Sequence, residues 1–281
     1  MTRRSFFPRV AGVAAIATRA SAADQVVQRK GRLKQCVTRG CFGRGMSLED
    51  AARESARLGL KGIDLIAAPD WPILKKYGLL PTMAPGAATI PDGFNRKENH
   101  DKLEKEMREN IEKAAAAGVP NVITFSGNRR GLSDAEGAEN CAIGLNRVKA
   151  LAEDKGVTIC MELLNSKVNH KYYQCDHTVW GVEVMKRVNS PRVKLLFDIY
   201  HMQIMEGDII RTIRDNIQYI AHFHTAGNPG RHELDGTQEL NYRPIAQAIV
   251  DSGFTGYMAH EYSPLRDPIT SLDEAIRLCD V

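Results

Sequence analysis

Four side chains of this sequence carry most of its chemical information. They are Glu162 in "CMELLN", Asp198 in "LLFDIYH", His224 in "HFHTAG" and Glu261 in "AHEYSP". Each stands at or next to the end of an apolar run, so a buried segment delivers a polar group at its tip. Taken singly, each has a bland reading. A glutamate at a strand end sits in a solvated loop. Asp198 caps the turn that follows it, and a histidine in an apolar strand satisfies a backbone carbonyl. Taken together they form a set of three oxygen donors and one nitrogen donor. Three carboxylates in one place repel unless a cation sits among them or protons are taken up. The donor set excludes a thiolate zinc site. It suits Mn²⁺, Co²⁺ or Mg²⁺ and admits Zn²⁺; the imidazole tilts the balance toward a transition metal over Mg²⁺, and Mn²⁺ is the expected ion. His201, three residues after Asp198, is expected to turn toward a substrate or to support a ligand.

This reading requires that the four tips meet, and the chain pattern supplies a reason. Short apolar runs occur at 33–37, 62–66, 78–83, 121–126, 157–163, 193–198, 220–225 and 256–262. Amphipathic helices fit between them. One starts on Ser47 as N-cap and stops at Gly59, a long charged one ends at Gly118, and another ends at Gly156. The segment after the second run, "PDWPILKKYG", allows only a short helix. Alternating β and α over one continuous chain implies a parallel sheet with right-handed crossovers. Eight units at this length imply an α/β fold of the (β/α)8 TIM-barrel kind, one domain spanning 30–281. An open doubly wound sheet would show a glycine-rich phosphate turn after strand one. The sequence there is "TRGCFGRG", which fits neither dinucleotide nor P-loop patterns. In a barrel all strands point their C-terminal ends at one mouth, so Glu162, Asp198, His224 and Glu261 converge.

Residues 1–25 read differently. Arg3 and Arg4 stand together, Phe6 and Phe7 follow, then a short small-apolar run and "ASA" at 20–22. This resembles a twin-arginine export leader and implies a periplasmic protein, or a cytoplasmic one if the leader does not function. Cleavage after Ala22 would remove four arginines and no acid, leaving 34 basic and 34 acidic residues. A near-neutral mature chain has no general attraction to nucleic acid or to an acidic membrane. No apolar run approaches the ~20 residues of a membrane span. The six cysteines show no CxxC pair or zinc-finger spacing. Cys160 reads as core, and a Cys36–Cys41 bridge is conceivable only in an oxidising compartment.

The motifs "MELLN", "FDIYHMQIMEGD", "HTAGNPGRHELDGTQELNY" and "HEYSP" resemble the xylose-isomerase-like TIM-barrel superfamily, in particular hydroxypyruvate isomerases and ketose 3-epimerases. The specific similarity runs from about 155 to 265. The resemblance implies that Glu162, Asp198, His224 and Glu261 bind a metal and that Glu162 and Glu261 also form the catalytic acid/base pair. His201 and Arg231 would touch substrate oxygens. The glycine-rich stretch 227–236, with His232 and Glu233, would loop over the mouth. Two departures stand out. Hydroxypyruvate isomerases tend to carry glutamine where His224 stands, whereas the epimerases carry histidine. "ELLNSKVNHKYYQCDHT" replaces the usual loop after strand five, so Asn165, Lys167, His170 and Lys171 would give that rim its own substrate contacts.

The implied reaction is metal-assisted proton removal beside a carbonyl, through an enediolate, on a sugar or small hydroxy-carbonyl acid. A lyase or deglycosidase acting on 3-keto sugars would share the first step. A metal-dependent phosphodiesterase would need further rim histidines and a basic groove, and the early strand ends offer only Asp64 and Met83. Homo-oligomers are common in the superfamily, and no sequence feature fixes one here. Asn95 and Arg96 either reach the mouth or make a turn. Trp71 and Trp180 are expected at the helix–barrel interface.

Overall fold

The computed structural model describes residues 27–281, together with Met1. The export leader expected at 1–25 falls outside the described residues. Eight strands form one parallel sheet: β1 Lys34–Thr38, β2 Ile63–Asp64, β3 Ala84–Ala87, β4 Asn121–Thr124, β5 Thr158–Glu162, β6 Val193–Asp198, β7 Ile220–Thr225 and β8 Tyr257–His260. Their spatial order is β2-β1-β8-β7-β6-β5-β4-β3. β1 pairs with β8, which curls the sheet round on itself. The remaining seam, between β2 and β3, is crossed by a single parallel bridge from Gly62 to Leu80. This is the (β/α)8 barrel that the alternation implies.

Among the described residues, ten α-helices surround it: α1 Leu48–Arg57, α2 Trp71–Lys76, α3 His100–Ala117, α4 Asp134–Asn146, α5 Lys149–Lys155, α6 Thr178–Val188, α7 Ile199–Met205, α8 Ile209–Asn216, α9 Tyr242–Asp251 and α10 Pro268–Cys279. Ser47 caps α1 by accepting the Asp50 N–H, as its position before an acidic first turn predicts. The main core lies between strands and helices. A small separate cluster of Met83, Ile123, Cys160 and Leu196 fills the lumen. Side chains two apart share a face of a strand. Cys160 and Leu196 in the lumen therefore put Glu162 and Asp198 at its upper rim. Trp71 and Trp180 donate to the backbone carbonyls of Ile66 and Asp134 within the helical layer. All six cysteines are free and buried.

Beyond shifts of one or two residues at strand ends, two elements differ from the sequence reading. The run 78–83 is not the third strand; that strand is Ala84–Ala87. Pro81 has no N–H to give a ladder, and "APGA" has too few apolar residues to announce itself. Gly86 is required there, because a Cβ at that position would fall 2.0 Å from the Ile123 carbonyl oxygen. The single helix expected before Gly156 is broken into α4 and α5 around Arg147 and Val148.

Candidate metal centre and active site

Asp198 ends β6 and does two jobs. Its Oδ1 accepts the His201 N–H at 3.1 Å and so caps α7. Its Oδ2 stays at the mouth, 3.6 Å from His201 Nε2 and 3.6 Å from the Arg231 guanidinium. The cap of the bland reading and the site of the chemical reading coexist on two oxygens of one carboxylate. β5 brings Glu162, β7 brings His224, and the first residue after β8 is Glu261. Each of the four offers a ligand atom, and these atoms all lie within 4.8 Å of one another. His224 Nδ1 is 2.8 Å from Glu261 Oε2 and 3.5 Å from Glu162 Oε1.

The electrostatics are those of crowded, buried carboxylates. Burial, with repulsion from Glu261 and Asp198, raises Glu162 above the ordinary carboxylate range. Burial also raises Asp198, against the pull of Arg231. Burial would raise Glu261 as well, but His224 and Arg231 outweigh it and hold that group at about 2. His224 is raised well above its ordinary value, because Glu261, Asp64 and Glu162 overcome the burial that disfavours the charged ring. Three carboxylates and an imidazole with converging donor atoms fit a divalent cation on the chemistry of the donor set.

The predicted substrate residues separate into two groups. Arg231 lies over the cluster, 2.8 Å from Glu261 Oε2, with its guanidinium 5.5 Å from the Tyr200 ring centroid. Its backbone is in the left-handed region at φ 59°. It is held there by its own N–H bond to the Gly227 carbonyl and by the Ser263 N–H bond to its carbonyl. His201 is fully buried. Its Nδ1 accepts from the Asn165 backbone N–H at 3.2 Å and from the Asn165 side-chain amide at 2.5 Å. That leaves its Nε2, buried and without a partner, as the protonated nitrogen facing the site. Asn165 therefore sits behind His201 and not over the cluster. Lys167 is turned away: its ammonium donates to the carbonyls of Ile204 and Met205 at the end of α7. The His170 ring packs tilted against that of His201, with centroids 5.3 Å apart, whereas Lys171 lies over Tyr172. His232 bonds the Ser263 carbonyl, and Glu233 accepts the N–H groups of Leu265 and Arg266, so both anchor the loop over β8. Asn95 and Arg96 tie loops together through Asn128, Gln174, Arg129 and Arg130.

A cleft of about 340 Å³ opens between Thr38, Arg39, Asp64, Arg231, Glu261 and Tyr262, a space for a small ligand. Three residues beside the site carried little signal in the sequence. Tyr173 is fully buried and donates its hydroxyl to the Glu162 carbonyl at 2.8 Å. Asp64 and His222 pack against the His224 ring on its Nε2 side. Asp64 stood out only as an early strand end, and His222 carried no assignment in the sequence.

The family model described as "Xylose isomerase-like TIM barrel" matches residues 71–280. A putative hydroxypyruvate isomerase of Homo sapiens is 29% identical over 176 residues, covering 59% of this chain and 63% of the relative. A 2-oxo-tetronate isomerase of Cupriavidus necator is 34% identical over 126 residues, covering 45% of this chain and 46% of the relative. Both matches span less than two thirds of those relatives' length. Among solved structures, an AP endonuclease of family 2 from Brucella melitensis superposes with a TM-score of 0.76 at 23% identity, over 85% of this chain and 96% of that one. At that identity the likeness is one of fold. The family match covers most of the chain, and its barrel is the one described above; the protein belongs to the xylose isomerase-like TIM-barrel family.

Proposed function

We propose that the protein is a metal-dependent isomerase of a small hydroxy-carbonyl compound, moving a proton between carbons through an enediolate. The observation that carries this reading is the convergence of Glu162, Asp198, His224 and Glu261, with all ligand atoms within 4.8 Å. The isomerase names of the relatives support the reaction class. When bound, a divalent cation, Mn²⁺ by the balance of the donor set, supplies electrophilic stabilisation of the charge that develops on the substrate oxygens.

The chain's own residues do the rest. Glu162, at the end of β5, and Glu261, just after β8, reach the cluster from non-adjacent strands and carry the proton. Arg231 donates to a substrate oxygen and neutralises charge beside Glu261. His201 donates through Nε2–H, kept in that tautomer by Asn165. The loop carrying Arg231 keeps water from the reacting carbon. His224, where hydroxypyruvate isomerases tend to carry glutamine, favours a second reading as a 3-epimerase of ketoses.

Incubation of the Mn²⁺-loaded protein with hydroxypyruvate, a 2-oxo-tetronate and ketohexoses in ²H₂O tests the proposal. Deuterium at a carbon next to the carbonyl, with the substrate mass otherwise conserved, is the expected result. A change of carbonyl position marks the isomerase, and inversion at C3 marks the epimerase. Release of two fragments would identify a lyase. Absence of exchange on all three classes with the metal bound would remove the reading.

A further inference from the structure

Asp64 has no part in the reaction described so far, yet it is a fully buried carboxylate with three side-chain partners. It ends β2 and lies beside the four-residue cluster. Its Oδ1 accepts the Thr82 hydroxyl. Its Oδ2 faces the Nε2 atoms of both His222, at 2.7 Å, and His224, at 3.2 Å. The Cys36 thiol is within 4.8 Å of it. The donors come from different elements: the segment before β3, and β7 on the far side of β1 and β8. Asp64 therefore ties the open seam of the barrel to the strand that carries His224.

An imidazole has two nitrogens, and the partner of one decides what the other can do. With the Nε2 proton given to Asp64, the His224 Nδ1 lone pair faces Glu162 and Glu261, the position of the proposed cation. Metal-binding histidines are ordinarily oriented by such a second carboxylate. We infer that Asp64 is a positioning residue, setting the tautomer and ring orientation in which His224 Nδ1 serves as a ligand, with Thr82 and His222 holding the carboxylate in place. Cys36, Asp64 and His222 could also be taken for a second cation site. The hydrogen bonds argue against it. The His222 nitrogen facing Asp64 is used as a donor, and the carboxylate lone pairs on that side are taken.

The inference rests on the metal reading of His224, and its test reads binding and not turnover. Metal-free protein, prepared by chelation, is titrated with Mn²⁺ by calorimetry. Asp64→Asn is expected to weaken affinity by about 10–100-fold with an unchanged far-UV circular dichroism spectrum. Thr82→Val keeps the aspartate but loosens it, and a smaller loss in the same direction is expected. It carries the test if Asp64→Asn does not fold. In the Zn²⁺-loaded wild type, ¹⁵N–¹H correlations should show the His224 proton on Nε2, and this signal should move or vanish in Asp64→Asn. A folded Asp64→Asn that binds Mn²⁺ as tightly as wild type overturns the inference, as does Thr82→Val with unchanged affinity. Two ions per wild-type chain would also overturn it. Wild-type protein that binds Mn²⁺ nowhere rejects the metal reading itself, which separates the two failures.

Discussion

Arg231 lies 2.8 Å from Glu261 and 3.6 Å from Asp198, so one guanidinium spans two of the four candidate ligands. Those carboxylates hold it well above its ordinary pKa in spite of burial. The arrangement makes Arg231 and a bound cation partly redundant as sources of positive charge. Arg231→Ala is therefore expected to destabilise the metal-free protein by about 1–3 kcal/mol, as for a hydrogen-bonded charge left unpaired. The metal-saturated protein should lose less. Thermal unfolding of both forms in chelator and in excess Mn²⁺ measures the difference, and equal losses would refute the redundancy.

Replacing either proton carrier with its amide should stop the chemistry without unfolding the barrel. Glu162→Gln and Glu261→Gln keep the side-chain volume but cannot take a proton. Loss of general acid–base help corresponds to about 10²–10⁴-fold in rate. Solvent-deuterium incorporation, followed at saturating Mn²⁺ beside a circular dichroism control, reads the effect. Wild-type exchange in either variant would reassign that residue.

Tyr173 offers a test of support beneath the site. Its hydroxyl accepts the Ser126 N–H at 3.0 Å and donates to the Glu162 carbonyl at 2.8 Å. Tyr173→Phe leaves both backbone groups buried and unpaired, a loss of about 1–3 kcal/mol. Urea unfolding should show it, and turnover should fall as the end of β5 loosens. A variant as stable as the wild type would mean that the neighbouring backbone rearranges to pair these groups.

His260 predicts a pH dependence. Its ring is fully buried on the helix-facing side, bonded to Thr225 Oγ1 and Gln35 Oε1. Burial lowers its pKa from 6.5 to about 3. Between those two values the unfolded chain binds a proton that the folded chain does not. Stability therefore falls as pH drops through that window, by about 1.4 kcal/mol per unit at most from this group. His260→Gln should flatten the corresponding stretch of the stability–pH curve measured in chelator. An unchanged slope would assign the acid sensitivity elsewhere.

Much of the barrel was legible because its signals are local. Runs such as 193–198 and 220–225 are largely buried on both faces, as a strand covered by helices on one side and a packed lumen on the other requires. The break came at β3, where a proline and a glycine do the structural work and hydrophobicity is low. The four candidate ligands were readable for a related reason. They stand at the tips of long apolar strands, and once the barrel is inferred, its geometry brings such tips together.

The partners of those groups were a different matter. Composition and order along the chain determined the barrel class, the strand ends that share its mouth and the oxygen-rich character of the donor set. Only the tertiary structure decided that Lys167 caps α7 while Asn165 backs His201, that Arg231 crosses from Glu261 to Asp198, and that Asp64 reaches His224 from 160 residues away. A strand end reports where a side chain starts. Its partners depend on rotamer, register and barrel stagger, which no stretch of sequence encodes by itself.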